Sequence, residues 1–321
     1  MLRRPPAAPR AWTNAAVSAV AALLILVALP ASGAPAQPDP RMVQMMITRV
    51  SADLEPFDPV PDPGAQPGSL DAETRAELTA ELDALAVEHD FGLAVQDLHT
   101  GAAFSHGAHT QFPTASVAKL SVLAMLVRIA EEEDRDLTDA ELAQAEQMIR
   151  HSGNEVTDDL YQHIGFTDGF EEGIEAFGLQ STEPNPSGVW GSTMTTAADQ
   201  LRLLRALHLD EGPLSAEGRE QIRALMESVV PEQVWGVSAA AGPDDTVGLK
   251  NGWTPRDNNG GLWTVNSVGY VVGPDRAYLV AVLSDGQPDQ GTGITMIEEA
   301  VLLVTGAMEQ GTVPDERSPD R

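Results

Sequence analysis

The chain has 321 residues, 42% of them hydrophobic, which is enough for one large domain with a buried core. Its formal net charge of −29 argues against nucleic acids and anionic membranes as partners and predicts a strongly solvated acidic surface. It contains no cysteine, which excludes disulfides, thiolate metal sites, cysteine nucleophiles and lipid attachment to an N-terminal cysteine.

The first 34 residues have the pattern of an export signal. Three arginines precede an apolar run over residues 15–29, and small residues at 31–34 offer a cleavage site. The run is short for a membrane span, so we expect a cleaved signal, with an uncleaved anchor as the alternative. Residues 35–70 are rich in proline and predict a linker. Export predicts a secreted or cell-envelope protein.

Residues 71–310 alternate between helical and strand patterns. Helices are predicted over 71–88, 116–130, 138–151, 155–164, 170–177, 196–208, 215–230 and 294–308, and strands over 91–97, 102–105, 245–253, 261–272 and 276–284. Thr138-x-x-Glu141 fits a capping box at the start of the helix over 138–151, and residues 273–275 predict a tight turn between the last two strands. Residues 178–195 form a long connecting loop, and 311–321 a disordered tail. The predicted fold class is α+β, with one antiparallel sheet covered by the terminal helices and an inserted all-helical lobe.

A long apolar run follows Ser116, and we expect the fold to be organised around it. From residue 117 to 127 only Lys119 and Ser121 are polar, which is typical of a buried helix. Thr114 fits the N-cap position, so Ser116 falls in the first turn, where free backbone N–H groups favour negative charge. Lys119 follows one turn later on the same face.

Lys119 is chemically unusual in such a helix. An unpaired buried amine costs several kcal/mol, and the usual response is a lowered pKa. A neutral lysine can take the proton of a neighbouring hydroxyl and so activate a serine. Of the 19 Lys and Arg residues only Lys119 and Lys250 are lysine, and arginine cannot act as a base. The alternative is a chance Ser-x-x-Lys spacing with Lys119 reaching to the surface.

Two further short motifs follow in the chain. Ser152-Gly153-Asn154 lies between predicted helices, and Lys250-Asn251-Gly252-Trp253 lies on a predicted strand. Together with Ser116 and Lys119, they resemble the ordered Ser-x-x-Lys, Ser-x-Asn and Lys-Thr-Gly motifs of the penicillin-recognising serine hydrolases, which include class A β-lactamases and D-Ala-D-Ala peptidases. The resemblance covers about residues 75–308 and implies a β-lactamase or transpeptidase-like fold.

The resemblance implies a role for each motif residue. Ser116 is the expected nucleophile and Lys119 its expected base, although which group activates this serine is disputed in the family. The N–H groups of Ser116 and Trp253 are implied as the oxyanion hole, and Ser152 as the relay of a proton to the leaving nitrogen. The residues implied to bind substrate are Asn154, Lys250, Asn251 and Gly252. Without the resemblance, Ser152 and Asn154 read as an ordinary turn and Lys250 as a solvated strand residue.

Three features depart from the family pattern. Asn251 stands where a hydroxyl residue is usual, and the segment between Ser116 and Ser152 is shorter than in class A enzymes. The loop that carries the deacylating glutamate in class A enzymes, Glu-Pro-x-x-Asn, has its counterpart here in residues 183–185, with the asparagine two residues early. Glu183 either activates the deacylating water or is a solvated loop residue. The first predicts a β-lactamase, the second a long-lived acyl-enzyme.

The expected function is therefore that of an exported serine hydrolase with class A-like β-lactam hydrolysis. A D-alanyl-D-alanine peptidase or another penicillin-binding hydrolase is the second possibility, and an acylated sensor without turnover is the third. The expected partner is a β-lactam or a cell-wall peptide, and we expect a monomer. The histidines show no metal spacing, so no metal and no cofactor is expected. Trp190 and Trp263 are expected to pack within the lobes, with stacking on a substrate as the alternative.

Overall fold

The computed structural model describes residues 70–311. The predicted signal, nearly all of the predicted linker and the tail from residue 312 onward lie outside the described residues. The helices within the described part are α1 Ala72–Leu85, α2 Ala118–Glu132, α3 Asp139–Arg150, α4 Asn154–His163, α5 Phe166–Ala176, α6 Ala197–His208, α7 Ala216–Met226 and α8 Gln290–Gly311. The strands are β1 Asp90–Asp97, β2 Ala103–His106, β3 Phe112–Pro113, β4 Met194–Thr195, β5 Thr246–Pro255, β6 Trp263–Val272 and β7 Ala277–Asp285.

Five strands form one antiparallel sheet in the order β2-β1-β7-β6-β5. The N-terminal hairpin pairs with the last strand of the chain, so the helical segment between β2 and β5 is an insertion into the sheet. This confirms the predicted α+β fold class. Strand β5 lies at the sheet edge, and a separate pair, β3 with β4, joins the segment before Ser116 to the end of the loop over residues 178–195.

Both faces of the sheet are covered. On β7, Val280 and Val282 pack with the terminal helices α1 and α8, whereas Leu279 and Ala281 face the core of the helical lobe. A strand that is buried on both faces has apolar residues at successive positions, so the sequence of β7 shows a continuous apolar run and no alternation of apolar and polar residues. Helix α8 is long and apolar enough to cross a membrane by composition. One face of it, with Ile297, Val301 and Val304, packs in the core beneath the sheet, whereas Leu302 is exposed.

Helix α2 is the centre of the helical lobe. Its residues 118–127 are all buried, Lys119 included, and it contacts α3, α4, α5 and α7. Helix α3 begins with the predicted capping box, in which the Thr138 side chain accepts from the Glu141 N–H and Glu141 accepts from the Thr138 N–H. The burial of α2 confirms the prediction of a core helix.

Several local predictions were wrong. Helix α7 ends four residues before the predicted end at 230, and α8 begins four residues before the predicted start at 294. Thr114 is not a helix cap, because its backbone is helical and its side chain makes no capping bond; a 3-10 turn, Ala115–Val117, precedes α2 instead. Helix α5 begins at Phe166, four residues before the predicted start, after Gly165 in the left-handed region with φ 97°. The short β3–β4 pair was not predicted, since two-residue strands leave no periodic pattern.

Candidate active site

Ser116 lies on a strained turn that the sheet holds in place. Ala115, immediately before it, has φ 45°, a left-handed conformation that costs a non-glycine residue about 1–3 kcal/mol. Buried Asn266 of β6 donates to the carbonyls of Pro113 at 2.8 Å and Thr114 at 3.0 Å. The Thr114 N–H donates to Thr193 O at 2.9 Å. These bonds fix the backbone on which the half-buried Ser116 is presented.

The Lys119 amine is the hub of the site. Its Nζ lies 3.1 Å from Ser116 Oγ, 2.6 Å from Ser152 O, 3.1 Å from Ser152 Oγ and 2.7 Å from Asn154 Oδ1. The lysine is completely buried. The hydroxyl of the predicted nucleophile and the amine of the predicted base are therefore within hydrogen-bond reach, which a Ser–Lys pair needs for proton transfer.

Lys250 reaches the same group from the sheet. Its Nζ lies 3.1 Å from Ser152 Oγ and 2.8 Å from the carbonyl of Asn251, and the side chain is completely buried. Ser152 is presented in a left-handed conformation with φ 56° in the short connection between α3 and α4. One hydroxyl thus lies between two lysine amines, which suits a group that receives and gives a proton.

Burial dominates the electrostatics of both lysines. Desolvation lowers the pKa of Lys119 from 10.5 to about 8, opposed by the negative charge of Asp158 on α4. Desolvation and the nearby Lys119 charge hold the pKa of Lys250 well below its usual range. A Lys119 amine that is neutral in part at physiological pH can accept the Ser116 proton.

The edge strand β5 packs directly on the Ser116 turn at Gly252. A Cβ atom at this position would lie 2.8 Å from the Ser116 N and 2.8 Å from the Val117 N, so only glycine allows the approach. The approach brings the strand that carries the Trp253 N–H beside the turn that carries the Ser116 N–H. A cleft of about 350 Å³ is lined by Pro113, residues 191–192 and residues 254–258, which include sequence neighbours of Ser116 and Trp253.

Comparisons with known proteins agree with this arrangement. Residues 75–153 and 141–307 match the beta-lactamase enzyme family. The chain belongs to this family. It is a member of the penicillin-recognising serine hydrolase superfamily, as the three motifs predicted. A curated relative, "Putative lipoprotein LppW" of Mycobacterium tuberculosis (strain ATCC 25618 / H37Rv), is 28% identical over 224 residues, which cover 68% of this chain and 70% of that protein.

Solved structures of the superfamily share the fold. A mutant of PBP-A, solved as an acyl-enzyme complex with penicillin G, has a TM-score of 0.64 and 20% identity over 76% of this chain and 99% of that one. A class A beta-lactamase from Bacteroides cellulosilyticus DSM 14838 has a TM-score of 0.62 and 18% identity over 73% of this chain and 98% of that one. At these identities the likeness establishes the fold alone.

Two of the residues predicted for the site lie apart from the others. Asn251, in the position of the family's hydroxyl residue, is on the opposite face of β5 from Lys250 and Gly252. Its Nδ2 donates to the carbonyls of Gln233 at 2.8 Å and Trp235 at 3.2 Å, and the side chain is completely buried. The expected contact between the Asn251 side chain and a substrate is therefore absent from this geometry, because strand alternation turns the amide away from Ser116.

Glu183 is likewise outside the cluster. Its backbone pairs with Met194 at the base of the loop, and its exposed carboxylate accepts a hydrogen bond from Gln111 at 3.1 Å. In the part of the chain that the structure describes, neither the Ser116 hydroxyl nor the Lys119 amine is among its hydrogen-bond partners. The pairing with Met194 places Glu183 at the base of the loop over residues 178–195. The tip, between these two paired residues, is the part that approaches Ser116.

Trp190 is the site residue that the sequence did not reveal. It packs at the edge of the helical core, as expected, but its ring also lies over the Lys119 amine, with 4.8 Å from Nζ to the ring centroid. Its Nε1 donates to Asp158 Oδ1 at 2.7 Å. Asp158 lies four residues after Asn154, one helical turn further along the same face of α4, so its spacing is the signal that could have indicated it.

Proposed function

We propose that this chain is an exported serine hydrolase that β-lactams acylate on Ser116 and that releases the acyl group slowly. The observation that carries the proposal is the buried Lys119 amine, 3.1 Å from the Ser116 hydroxyl and with a pKa lowered to about 8. A serine hydroxyl is a weak nucleophile, and a neighbouring base of this kind is what activates it.

Acylation follows from the contacts in the cluster. Ser116 Oγ attacks the carbonyl carbon of the strained amide while its proton passes to the neutral Lys119 amine. The N–H groups of Ser116 and Trp253 stabilise the resulting oxyanion, where one donor typically contributes about 3 kcal/mol. The amide C–N bond then breaks, and the leaving nitrogen takes the Ser152 proton, which the Lys119 ammonium replaces across 3.1 Å. Lys250 Nζ donates a hydrogen bond to Ser152 Oγ at 3.1 Å and holds the hydroxyl in place during this relay.

Deacylation is expected to be the slow step. Water must attack the ester carbonyl, the bond to Ser116 Oγ must break, and a base must carry the water proton to that oxygen. Within residues 70–311 no carboxylate forms a hydrogen bond to Ser116 or Lys119, and Glu183 contacts Gln111 instead. Lys119 would have to act a second time, which supports a penicillin-binding peptidase more than a rapid β-lactamase.

Location and substrate class complete the proposal. The basic and apolar pattern of residues 1–34 supports export, and a relative named as a lipoprotein supports an envelope location. Outside the membrane the available substrates of this chemistry are β-lactams and cell-wall peptides. The cleft of about 350 Å³ beside Pro113 is large enough for part of a small acyl donor.

The test is a time course of the purified chain with benzylpenicillin, followed by intact-mass spectrometry, together with steady-state hydrolysis of nitrocefin. We expect one penicilloyl adduct per chain that persists after free penicillin is removed, with slow nitrocefin turnover. Rapid turnover without an accumulating adduct would establish a true β-lactamase and contradict the slow release. Neither adduct nor turnover, with a folded protein, would contradict the whole proposal. Ser116→Ala is the matched control and should give no adduct.

A further inference from the structure

The loop over residues 178–195 is built as a rigid arm that reaches the acylation site. Buried Asp199 of α6 accepts the N–H groups of Gln180 at 3.0 Å and Ser181 at 2.8 Å and the Thr182 hydroxyl at 2.7 Å. Pairing of Glu183 with Met194 closes the base of the arm. The bonds to Asp199 and the Glu183–Met194 pair therefore fix the base of the arm, although much of the loop lies at the surface.

The tip is also fixed to the nucleophile turn. The Thr114 N–H donates to Thr193 O at 2.9 Å, and the Thr114 hydroxyl donates to Trp190 O at 3.4 Å. Trp190 and Ser116 are consequently anchored to the same residue, Thr114, two positions before the nucleophile. A movement of the Trp190 backbone would have to break these bonds.

The Trp190 side chain covers the proton-accepting end of Lys119. The amine already has Ser116, Ser152 and Asn154 as polar partners, and the indole ring lies over it at 4.8 Å. A cation over an indole face is itself attractive, by about 0.5–2 kcal/mol. A water molecule that is to be deprotonated by Lys119 would need the space on this side of the amine.

Asp158 holds the indole in this position. It lies on the exposed side of α4 and accepts the Trp190 Nε1–H at 2.7 Å, an ionic hydrogen bond of short length. Its carboxylate also raises the pKa of Lys119, against the larger lowering by desolvation. One exposed residue therefore controls both the position of the ring and the charge of the base.

We propose that Trp190, latched by Asp158, is a positioning residue that shields Lys119 from water and so sets the lifetime of the acyl-enzyme. The inference rests on the proposed acylation of Ser116. In acylation the nucleophile is the Ser116 hydroxyl, so no water is needed. In deacylation the nucleophile is a water molecule, which must lie beside Lys119. The shield thus slows the second step without hindering the first.

The experiment measures acyl-enzyme lifetime after excess benzylpenicillin is removed, in the wild type and in Trp190 and Asp158 variants. Trp190→Ala should shorten the lifetime about tenfold, and Trp190→Phe, which keeps a ring over the amine but has no N–H to donate to Asp158, should shorten it by an intermediate amount. Asp158→Ala, which removes the latch from an exposed site, should shorten it by an intermediate amount. Val189→Ala, at an exposed neighbour in the same loop, is the matched control and should change nothing.

A second readout separates positioning from general loosening of the fold. Asp158→Asn keeps an oxygen acceptor for the indole but loses the charge, so the pH midpoint of acylation should move lower. At about pH 9.5, where Lys119 is largely neutral in both proteins, its adduct lifetime should match the wild type, whereas that of Asp158→Ala should still be shorter. A lifetime unchanged in both Trp190→Ala and Asp158→Ala would overturn the shield, and so would loss of acylation in Trp190→Ala with a normal melting temperature. If the wild type forms no adduct at all, the proposed function fails first, and the two failures are distinguished.

Discussion

We expect the pH dependence of Ser116 acylation to follow the charge of one buried amine, that of Lys119. A pKa of about 8 leaves about a tenth of Lys119 neutral at pH 7, whereas the ordinary 10.5 would leave about 0.03%. Burial therefore supplies about 300 times more free base at neutral pH, if all else is equal. If Lys119 is the base, as we propose, its complete burial favours acylation at neutral pH through this gain.

The assay is the second-order rate of adduct formation with benzylpenicillin, measured by rapid quench and intact mass from about pH 6 to about pH 9.5. Because the neutral amine is the active form, the rate should rise about tenfold per pH unit below 8 and level off above it. Lys119→Arg keeps the charge and much of the length but cannot accept the proton, so it should show no adduct at any of these pH values.

The reasoning would be refuted by a flat profile, by a midpoint near the ordinary lysine value, or by a normal adduct on Lys119→Arg. A melting curve of Lys119→Arg belongs to the same experiment, because a larger guanidinium in a fully buried position could unfold the protein. A folded variant without adduct would support Lys119 as the base.

Three further predictions follow from the site. Lys119→Met should abolish acylation and raise the melting temperature at pH 7, because burying the charged amine lowers the free energy of unfolding by up to about 3 kcal/mol below pH 8. This destabilisation disappears as pH rises toward 10.5, so thermal denaturation should show a smaller gain in melting temperature over that interval. Gly252→Ala should lower the acylation rate about 100-fold, because its Cβ would lie 2.8 Å from the Ser116 N and displace an oxyanion donor; circular dichroism should remain that of the wild type. Glu183→Gln should leave the adduct lifetime within about twofold of the wild type, because its exposed carboxylate contacts Gln111; a trapped adduct would restore Glu183 as the deacylating base.

Long periodic segments were predictable from the sequence. The core helix after Ser116 was evident from its unbroken apolar run, and the capping box at Thr138 located the start of α3. The β6–β7 hairpin was predicted from two apolar runs around a turn, and its register matches that connection. These elements carry their signal in neighbouring residues, so no tertiary information was needed.

The start of the nucleophile helix could not be predicted in the same way. The two carbonyls that precede the left-handed Ala115 accept hydrogen bonds from Asn266, which lies 152 residues after Thr114 in the chain. A local pattern favoured an N-cap at Thr114, but this long-range contact and the β3–β4 pair override it. Strain at such a position is characteristic of functional turns.

The site residues that belong to the three ordered motifs were predictable from the sequence. Ser116, Lys119, Ser152, Asn154 and Lys250 come together as the motif order indicated. The catalytic roles assigned to these residues stay predictions until the experiments above are done.

The side chains that were misplaced or missed depend on orientation. Asn251 sits next to Lys250 in sequence, but alternation along β5 sends it to the opposite face. Trp190 and Asp158 meet Lys119 only because the arm folds back over α4, and the helical spacing of Asp158 from Asn154 is the one local signal of that contact. The order of the motifs predicted the reaction type, whereas only the tertiary fold shows that Trp190 lies beside Lys119.

The most direct test of the central claim is peptide mapping of the chain after brief exposure to benzylpenicillin, with the wild type and Lys119→Arg treated side by side. The account predicts a penicilloyl group on Ser116 in the wild type and an unmodified Ser116 peptide in the variant. A modified residue other than Ser116, or equal labelling of Ser116 in both proteins, would contradict it.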